Sequence, residues 1–161
     1  METKNSKPLN ADLPKDMDIQ EIIRKKFETY KKITEESGEQ QAWDTLFQGY
    51  PERQKKIMGP FIENNTLAEG FTRAIPFYKQ FGMEMEVIDI SNNNMDAVLE
   101  VQKVCPSMKL AKDFGIDKPC RLVCEMDVEA TKAAFGMKGK ILARLADGDC
   151  VCIFKYERPK K

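Results

Sequence analysis

The spacing of apolar residues changes near the middle of the chain, and this change most constrains the fold. In the first half, apolar residues recur every three or four positions, a period typical of amphipathic helices. Helices are expected over residues 17–36, 43–50, 52–58 and 65–81. The Gly59-Pro60 pair should end the third helix. Pro76 should kink or split the fourth, because proline lacks the backbone N–H that a helix needs.

The second half predicts two β-hairpins separated by two helices. Strands are expected over residues 84–90, 97–104, 141–146 and 150–157. Asp147-Gly148, between the last two strands, is a strong hairpin signal. A short helix from Pro106 and a longer one over residues 119–135 lie between the hairpins. The order β-β-α-α-β-β after a helical N-terminal half predicts an α+β fold, an antiparallel sheet with helices on one face.

Length and composition predict one domain with a short tail. The chain has 161 residues, enough to bury a core without cross-links. Residues 1–16 are expected to form a mobile polar tail, and residues 17–161 one domain with a helical part (17–82) and a cysteine-rich part (83–161). No segment has the character of a signal peptide or a membrane span, so a cytoplasmic location is expected.

The balance of basic and acidic residues limits the classes of partner that the protein is expected to bind. The 26 basic and 26 acidic residues cancel, so no global field should attract nucleic acid or an anionic membrane. The expected partner is a small-molecule substrate or ligand. The aromatic helices of the first half could also bury a homodimer interface.

All five cysteines lie in the last third of a chain that contains no histidine. They are Cys105, Cys120, Cys124, Cys150 and Cys152. An odd number of cysteines in a chain of this size argues against a disulfide scaffold. The absence of histidine excludes a Ser-His-Asp triad, a Cys-His pair and a His-ligated zinc site.

Two of the cysteines lie at predicted helix starts. Cys105 precedes Pro106 and Cys120 follows Pro119, and the positive end of a helix dipole favours the reactive thiolate. Cys120 and Cys124 are four residues apart, so both sulfurs should face the same side of one helix. They could then point at one ligand or metal ion.

Acidic residues and the last strand complete the candidate site. Asp127 extends the face that carries Cys124, and Glu125 lies at its edge. Cys152 shares a strand face with Phe154 and Tyr156. Any of these cysteines could instead fill core space, Cys150 above all, because free cysteine is among the most buried residue types.

In their order along the chain, these features resemble the L-2-amino-thiazoline-4-carboxylate hydrolase family. The stretches that carry the resemblance are VCPSMKLAKDFGIDKPCRLVCEMD, beginning at Val104, and ADGDCVCIFKY, beginning at Ala146. They include a Cys-Pro that opens a helix, a Cys-Glu-x-Asp segment, and a closing Gly-Asp-x-x-Cys-x-Phe strand. The resemblance covers about a third of the chain.

The resemblance implies hydrolysis of a C–N bond in a small cyclic compound of sulfur and nitrogen. A thiolate at Cys105 or Cys124 would attack the ring carbon, or hold a metal that activates water. Glu125 or Asp127 would serve as general acid or base. The site would bind substrate through Cys152 and through Arg121 or Arg144, whose planar guanidinium groups suit a carboxylate.

Two other classes of function remain open. The ending GDCVCIF also resembles the closing strand of vinyl-4-reductase-type ligand-binding domains, in which Cys152, Phe154 and Tyr156 would form the wall of an apolar pocket. The third class is a redox switch or a metal site built from Cys105, Cys120 and Cys124, with Cys152 as a further candidate ligand. Thiolates without histidine would select zinc, copper(I) or an iron–sulfur cluster.

Overall fold

A computed structural model describes residues 19–80 and 82–161. The tail predicted over residues 1–16 lies outside these ranges. The described helices and strands are, in chain order, α1 Ile19–Ser37, α2 Glu39–Phe47, α3 Tyr50–Ile62, α4 Leu67–Lys79, β1 Met85–Asp89, β2 Met95–Gln102, α5 Met108–Asp113, α6 Pro119–Leu122, α7 Cys124–Phe135, β3 Lys138–Ala143 and β4 Cys152–Pro159.

The predicted α+β fold is confirmed. The four strands form one antiparallel sheet in the order β1-β2-β4-β3, so the two hairpins meet through the central strands β2 and β4. Helices α3, α4 and α7 pack on one face of this sheet. Their shared core includes Ile62, Phe71, Val98, Val128 and Tyr156. The ring of Phe71 stacks on that of Tyr156, with centroids 5.4 Å apart.

A second core joins the start of the chain to its cysteine-rich part. Phe27 of α1 is fully buried with Leu110, Leu122 and Met126. The ring of Phe114 meets Phe27 edge-on, with centroids 6.2 Å apart. The first helix is thereby packed against the helices that carry the cysteines. Within the described residues, no helix is both long and apolar enough to cross a membrane.

Several helix boundaries differ from those predicted. Helix α3 continues through Gly59-Pro60, and α4 is not split at Pro76. Each proline removes only one backbone donor, and the buried residues on either side of each keep the helices packed. The helix expected over residues 119–135 is instead divided into α6 and α7 at Val123, where φ is −112° and ψ is −79°. A β-branched residue loses side-chain freedom in a helix, which suits Val123 to the break.

Two helical glycines provide a matched test of how tightly α3 and α4 pack. A Cβ at Gly70 would lie 2.5 Å from the carbonyl oxygen of Phe61 and 2.8 Å from a methyl of Ile62. A Cβ at Gly59 would meet only the flexible Glu63 side chain, at 3.2 Å. We expect Gly70→Ala to destabilise the protein by about 2 kcal/mol or more, because the contact is with backbone.

Gly59→Ala should instead stabilise it by about 0.5–1 kcal/mol, since alanine favours helix. Urea unfolding of both variants, followed by circular dichroism, measures the difference. Equal and small effects of the two substitutions would show that α4 can move away from α3 without loss.

Candidate functional site

A small polar cavity lies between α3, α4, α7 and the buried face of the sheet. Its volume is about 30 Å³, and Glu100, Cys124 and Asp127 are among the residues that line it. We call it the acidic cavity. The other polar side chains around it are Gln54, Tyr78, Gln102, Thr131 and Tyr156. A polar space of this size can hold one or two water molecules.

Glu100 reaches the acidic cavity because of its position in β2. It pairs with Phe154 of β4 on one side and Val87 of β1 on the other, so it sits in the sheet interior. Its side chain is on the face that the helices cover, and the residue is only 5% exposed. The Oε1 atom has no hydrogen-bond partner among the described residues. Burial, and then the charge of Asp127, raise the pKa of Glu100 to about 8, so it is a protonated acid at neutral pH.

Asp127 lies in the first turn of α7 and is held from the side of α3. The hydroxyl of Tyr50 donates a short hydrogen bond to its Oδ1 atom. Burial raises the pKa of Asp127, while the Tyr50 hydrogen bond and the positive charge of Lys26 act in the opposite direction. Glu100 lacks both of these stabilising contacts. Asp127 is therefore the carboxyl group of the pair that is better suited to be ionised.

Two cations flank the Tyr50 ring beside Asp127. Lys26 Nζ lies 4.8 Å from the ring centroid, and Arg53 Cζ lies 5.1 Å from it. Burial lowers the pKa of Lys26, the charge of Asp127 raises it, and Arg53 lowers it further. The aromatic ring and the carboxylate together keep positive charge close to the acidic cavity.

Cys124 is the first residue of α7, three residues before Asp127. Burial raises the pKa of its thiol well above the ordinary value, and the negative charge of Asp127 adds to this. Cys124 is therefore a neutral thiol at rest. It would need a base to become a nucleophile, and Asp127, whose charge acts on this thiol, is a candidate on the same helix.

The thiolate predicted at Cys120 from its helix start is wrong. Burial first, and then Cys105 and Cys152, raise the pKa of Cys120 to about 11. Helix α6 has only four residues, so its dipole is too weak to offset the desolvation of the thiol. The position predicted for Cys105 is also wrong, because α5 starts at Met108 with Ser107 as its N-cap.

The sulfurs do not form a set of metal ligands. Cys105, Cys120 and Cys152 lie close enough to affect one another's charge. However, no three Cys, Asp or Glu side chains of residues 19–80 and 82–161 are placed to hold a metal ion. Cys152 is buried in the core, and its Sγ accepts a hydrogen bond from the Leu145 amide at 3.2 Å. Cys150, expected in the core, is exposed because it precedes the start of β4.

Glu125 and the two arginines lie outside the lining of the acidic cavity. Arg144 forms an ion pair with Glu125, with 3.1 Å between Nη2 and Oε1, and its Nη1 lies 3.8 Å from Asp147. Arg121 lines a larger cleft, and its Cζ lies 5.9 Å from the Trp43 ring centroid. Of the candidate residues, Cys124 and Asp127 are the two that line the acidic cavity.

Seven polar residues at or beside this site were not predicted from the sequence. They are Lys26, Tyr50, Gln54, Tyr78, Glu100, Gln102 and Thr131. Gln54 Nε2 donates to the Thr131 hydroxyl at 3.1 Å, which links α3 to α7 at the cavity. Glu100 stands with Asp96 and Gln102 at alternate positions of an otherwise apolar strand, but that pattern by itself predicts a side chain that faces solvent.

No protein-family model matches the chain, and no curated protein matches its sequence.

Proposed function

We propose that this protein is a hydrolase that cleaves a C–N bond in a small cyclic compound containing sulfur and nitrogen. The observation that supports the proposal is the placement of a thiol and two carboxyl groups, Cys124, Asp127 and Glu100, around one cavity. Their environments favour different protonation states for the two acids, which suits one to act as base and the other as acid. The resemblance to the L-2-amino-thiazoline-4-carboxylate hydrolase family supports the same reaction class.

Cys124 is the proposed nucleophile and Asp127 its general base. As Sγ bonds to the carbon of the C–N group, the thiol proton passes to the Asp127 carboxylate. The nitrogen then leaves with the electron pair of the C–N bond and takes the proton of Glu100. A covalent bond between Sγ and the substrate carbon remains.

Water completes the reaction. A water molecule in the acidic cavity adds to the carbon and gives one proton to the Glu100 carboxylate, restoring the acid. The C–Sγ bond then breaks, and Sγ takes back the proton held by Asp127. The net change is the addition of one water molecule across the C–N bond. The cavity, at about 30 Å³, has room for this water molecule. The substrate ring would lie at its outer side, beside the half-buried Gln54 and Cys124.

Activity measurements on matched variants test the proposal. With 2-aminothiazoline-4-carboxylate as substrate, we expect turnover by the wild type and a loss of at least about a hundredfold in kcat/KM for Cys124→Ser and Asp127→Asn. Cys150→Ser is the control, because Cys150 is exposed and lies outside the cavity lining, and it should keep the wild-type rate. Mass spectrometry of the quenched reaction should detect the covalent adduct on Cys124.

The outcomes separate the parts of this mechanism. A wild type that is inert toward this and related cyclic amidines would reject the hydrolase proposal. Turnover that survives Cys124→Ser but not Asp127→Asn would remove the covalent step and leave direct attack by water.

A further inference from the structure

A second cleft lies where the C-terminal half of α1 meets the start of α2, the α5–α6 loop and α6. Its volume is about 410 Å³, within the range of small-molecule sites. We call it the α1–α6 cleft. None of the residues that line it lines the acidic cavity. A ligand bound in the cleft would therefore contact a separate set of side chains.

The cleft is ringed by charged side chains of both signs. Its lining contains three basic and three acidic residues, namely Lys31, Lys118, Arg121, Glu35, Glu39 and Asp117. Among the described residues, none of these six side chains forms an ion pair or a hydrogen bond. Even Lys31 and Glu35, one turn apart on α1, are not paired, whereas Glu21 and Lys25 on the same helix are. Positive and negative groups thus remain available to a ligand that carries both charges.

Arg121 is held in position by the neighbouring helix. The Trp43 indole N–H donates to the Arg121 carbonyl at 3.1 Å, and the Arg121 guanidinium lies 5.9 Å from the Trp43 ring centroid. Arg121 is half-buried, unlike Lys31 and Lys118, which are exposed. The Trp43 hydrogen bond holds the Arg121 backbone, and the half-buried guanidinium group offers two parallel N–H donors to a carboxylate.

Two aromatic side chains give the cleft an apolar wall. Tyr30 of α1 and Phe114 of the α5–α6 loop are half-buried and line it. An apolar side chain of a ligand can pack against them.

We propose that the α1–α6 cleft binds a small zwitterion of the α-amino acid class with an aromatic or large apolar side chain. Arg121 binds the carboxylate, the acidic residues of the rim attract the ammonium group, and the side chain packs between Tyr30 and Phe114. A ligand with negative charge alone would face three unpaired carboxylates, and one with positive charge alone would face three cations. The charge pattern therefore favours a ligand with both.

Calorimetric titration with L-phenylalanine and two matched analogues tests this inference. Phenylpropionate lacks the ammonium group and phenylethylamine lacks the carboxylate. We expect L-phenylalanine to bind at least about tenfold more tightly than either analogue. Arg121→Gln should weaken its binding by about tenfold or more. Arg73→Gln, at an exposed arginine of α4 outside the cleft, is the matched control and should bind as the wild type does.

Three results would overturn the inference. They are no binding of L-phenylalanine, L-leucine or L-methionine, equal binding of the two analogues, or unchanged binding by a folded Arg121→Gln variant. If Arg121→Gln fails to fold, Lys118→Gln replaces it, since Lys118 is exposed and its loss removes charge from the same rim. Glu100→Gln should leave this binding unchanged, so failure here and failure of the hydrolase proposal remain distinguishable.

Discussion

Replacing Glu100 with glutamine should remove most of the pH dependence of stability between pH 5 and pH 8. In the folded protein, burial and then the charge of Asp127 raise the pKa of Glu100 from 4.5 to about 8. In the unfolded chain the side chain is solvated, and its pKa returns to the ordinary value. Between these two values, the unfolded state has released a proton that the folded state still holds.

The sign of the effect follows from proton counting. Because the unfolded state binds fewer protons across this range, the free energy of unfolding falls as the pH rises. The wild type should lose roughly 3–4 kcal/mol between pH 5 and pH 8 from this group. Below the unfolded pKa both states are protonated, and above the folded pKa both are ionised, so the contribution no longer changes with pH.

Urea unfolding at several pH values measures this dependence. Glutamine has nearly the shape of a protonated glutamate and cannot ionise, so the Glu100→Gln variant should gain stability relative to the wild type as the pH rises. A weaker dependence of the free energy of unfolding on pH should remain in this variant, because burial also raises the pKa of Asp127. Glu36→Gln, at an exposed position of α1, is the control and should keep the wild-type slope. If the free energy of unfolding of the Glu100→Gln variant changes with pH as that of the wild type does, the pKa of Glu100 in the folded protein is close to its ordinary value.

Much of the fold was predictable because it depends on local patterns. The change from a three- or four-residue spacing to strand-like segments separated the helical half from the sheet. Asp147-Gly148 located the last turn correctly, although Leu145–Asp147 forms a short 3-10 helix there. The break at Val123 was not predictable, because it follows from how the chain packs and not from a local pattern. Leu122 and Met126, on either side of the break, pack in the second core, while Val128 packs against the sheet.

The candidate site was predictable only in part. Cys124 and Asp127 are three residues apart on one helix, so local spacing placed them together. Glu100 reaches the same cavity from β2 of the sheet. The alternation of apolar and polar residues along β2 would by itself predict that the Glu100 side chain faces solvent. In β2 the more apolar set is Met95, Ala97, Leu99 and Val101, yet the set on the face that the helices cover is Asp96, Val98, Glu100 and Gln102, all of them buried. Which face of β2 is covered is decided by the helices packed on it, and that is a tertiary property.

The contacts of the charged residues could not be predicted from the sequence either. Arg144 pairs with Glu125 across 19 positions, and Tyr50 reaches Asp127 across 77. No rule of local spacing predicts a contact between residues so far apart in the sequence. The thiolate predicted at a helix start was wrong for a related reason. The dipole of a short helix lowers the pKa of a thiol less than desolvation raises it, and the burial that causes desolvation cannot be predicted from the position of a helix start.

Replacing Asp96 with alanine should cost about 3–5 kcal/mol of stability. Asp96 is 7% exposed on the covered face of β2, directly opposite Arg158 of β4. Its carboxylate accepts a hydrogen bond from Arg158 Nε at 2.9 Å and from the Leu67 amide at 3.1 Å. One side chain thus joins the two central strands to the start of α4.

Removing Asp96 would leave the Arg158 guanidinium, 16% exposed, without its counter-charge and the first amide of α4 without its acceptor. Replacing both partners with apolar residues, as in Asp96→Leu/Arg158→Met, should cost less than Asp96→Leu alone, because no unpaired charge remains. Glu129→Gln, which breaks an exposed ion pair to Lys132, is the control and should change stability by less than about 1 kcal/mol. If Asp96→Ala costs as little as that control, the buried pair gives no net stability, and the hydrophobic core alone joins α4 to the sheet.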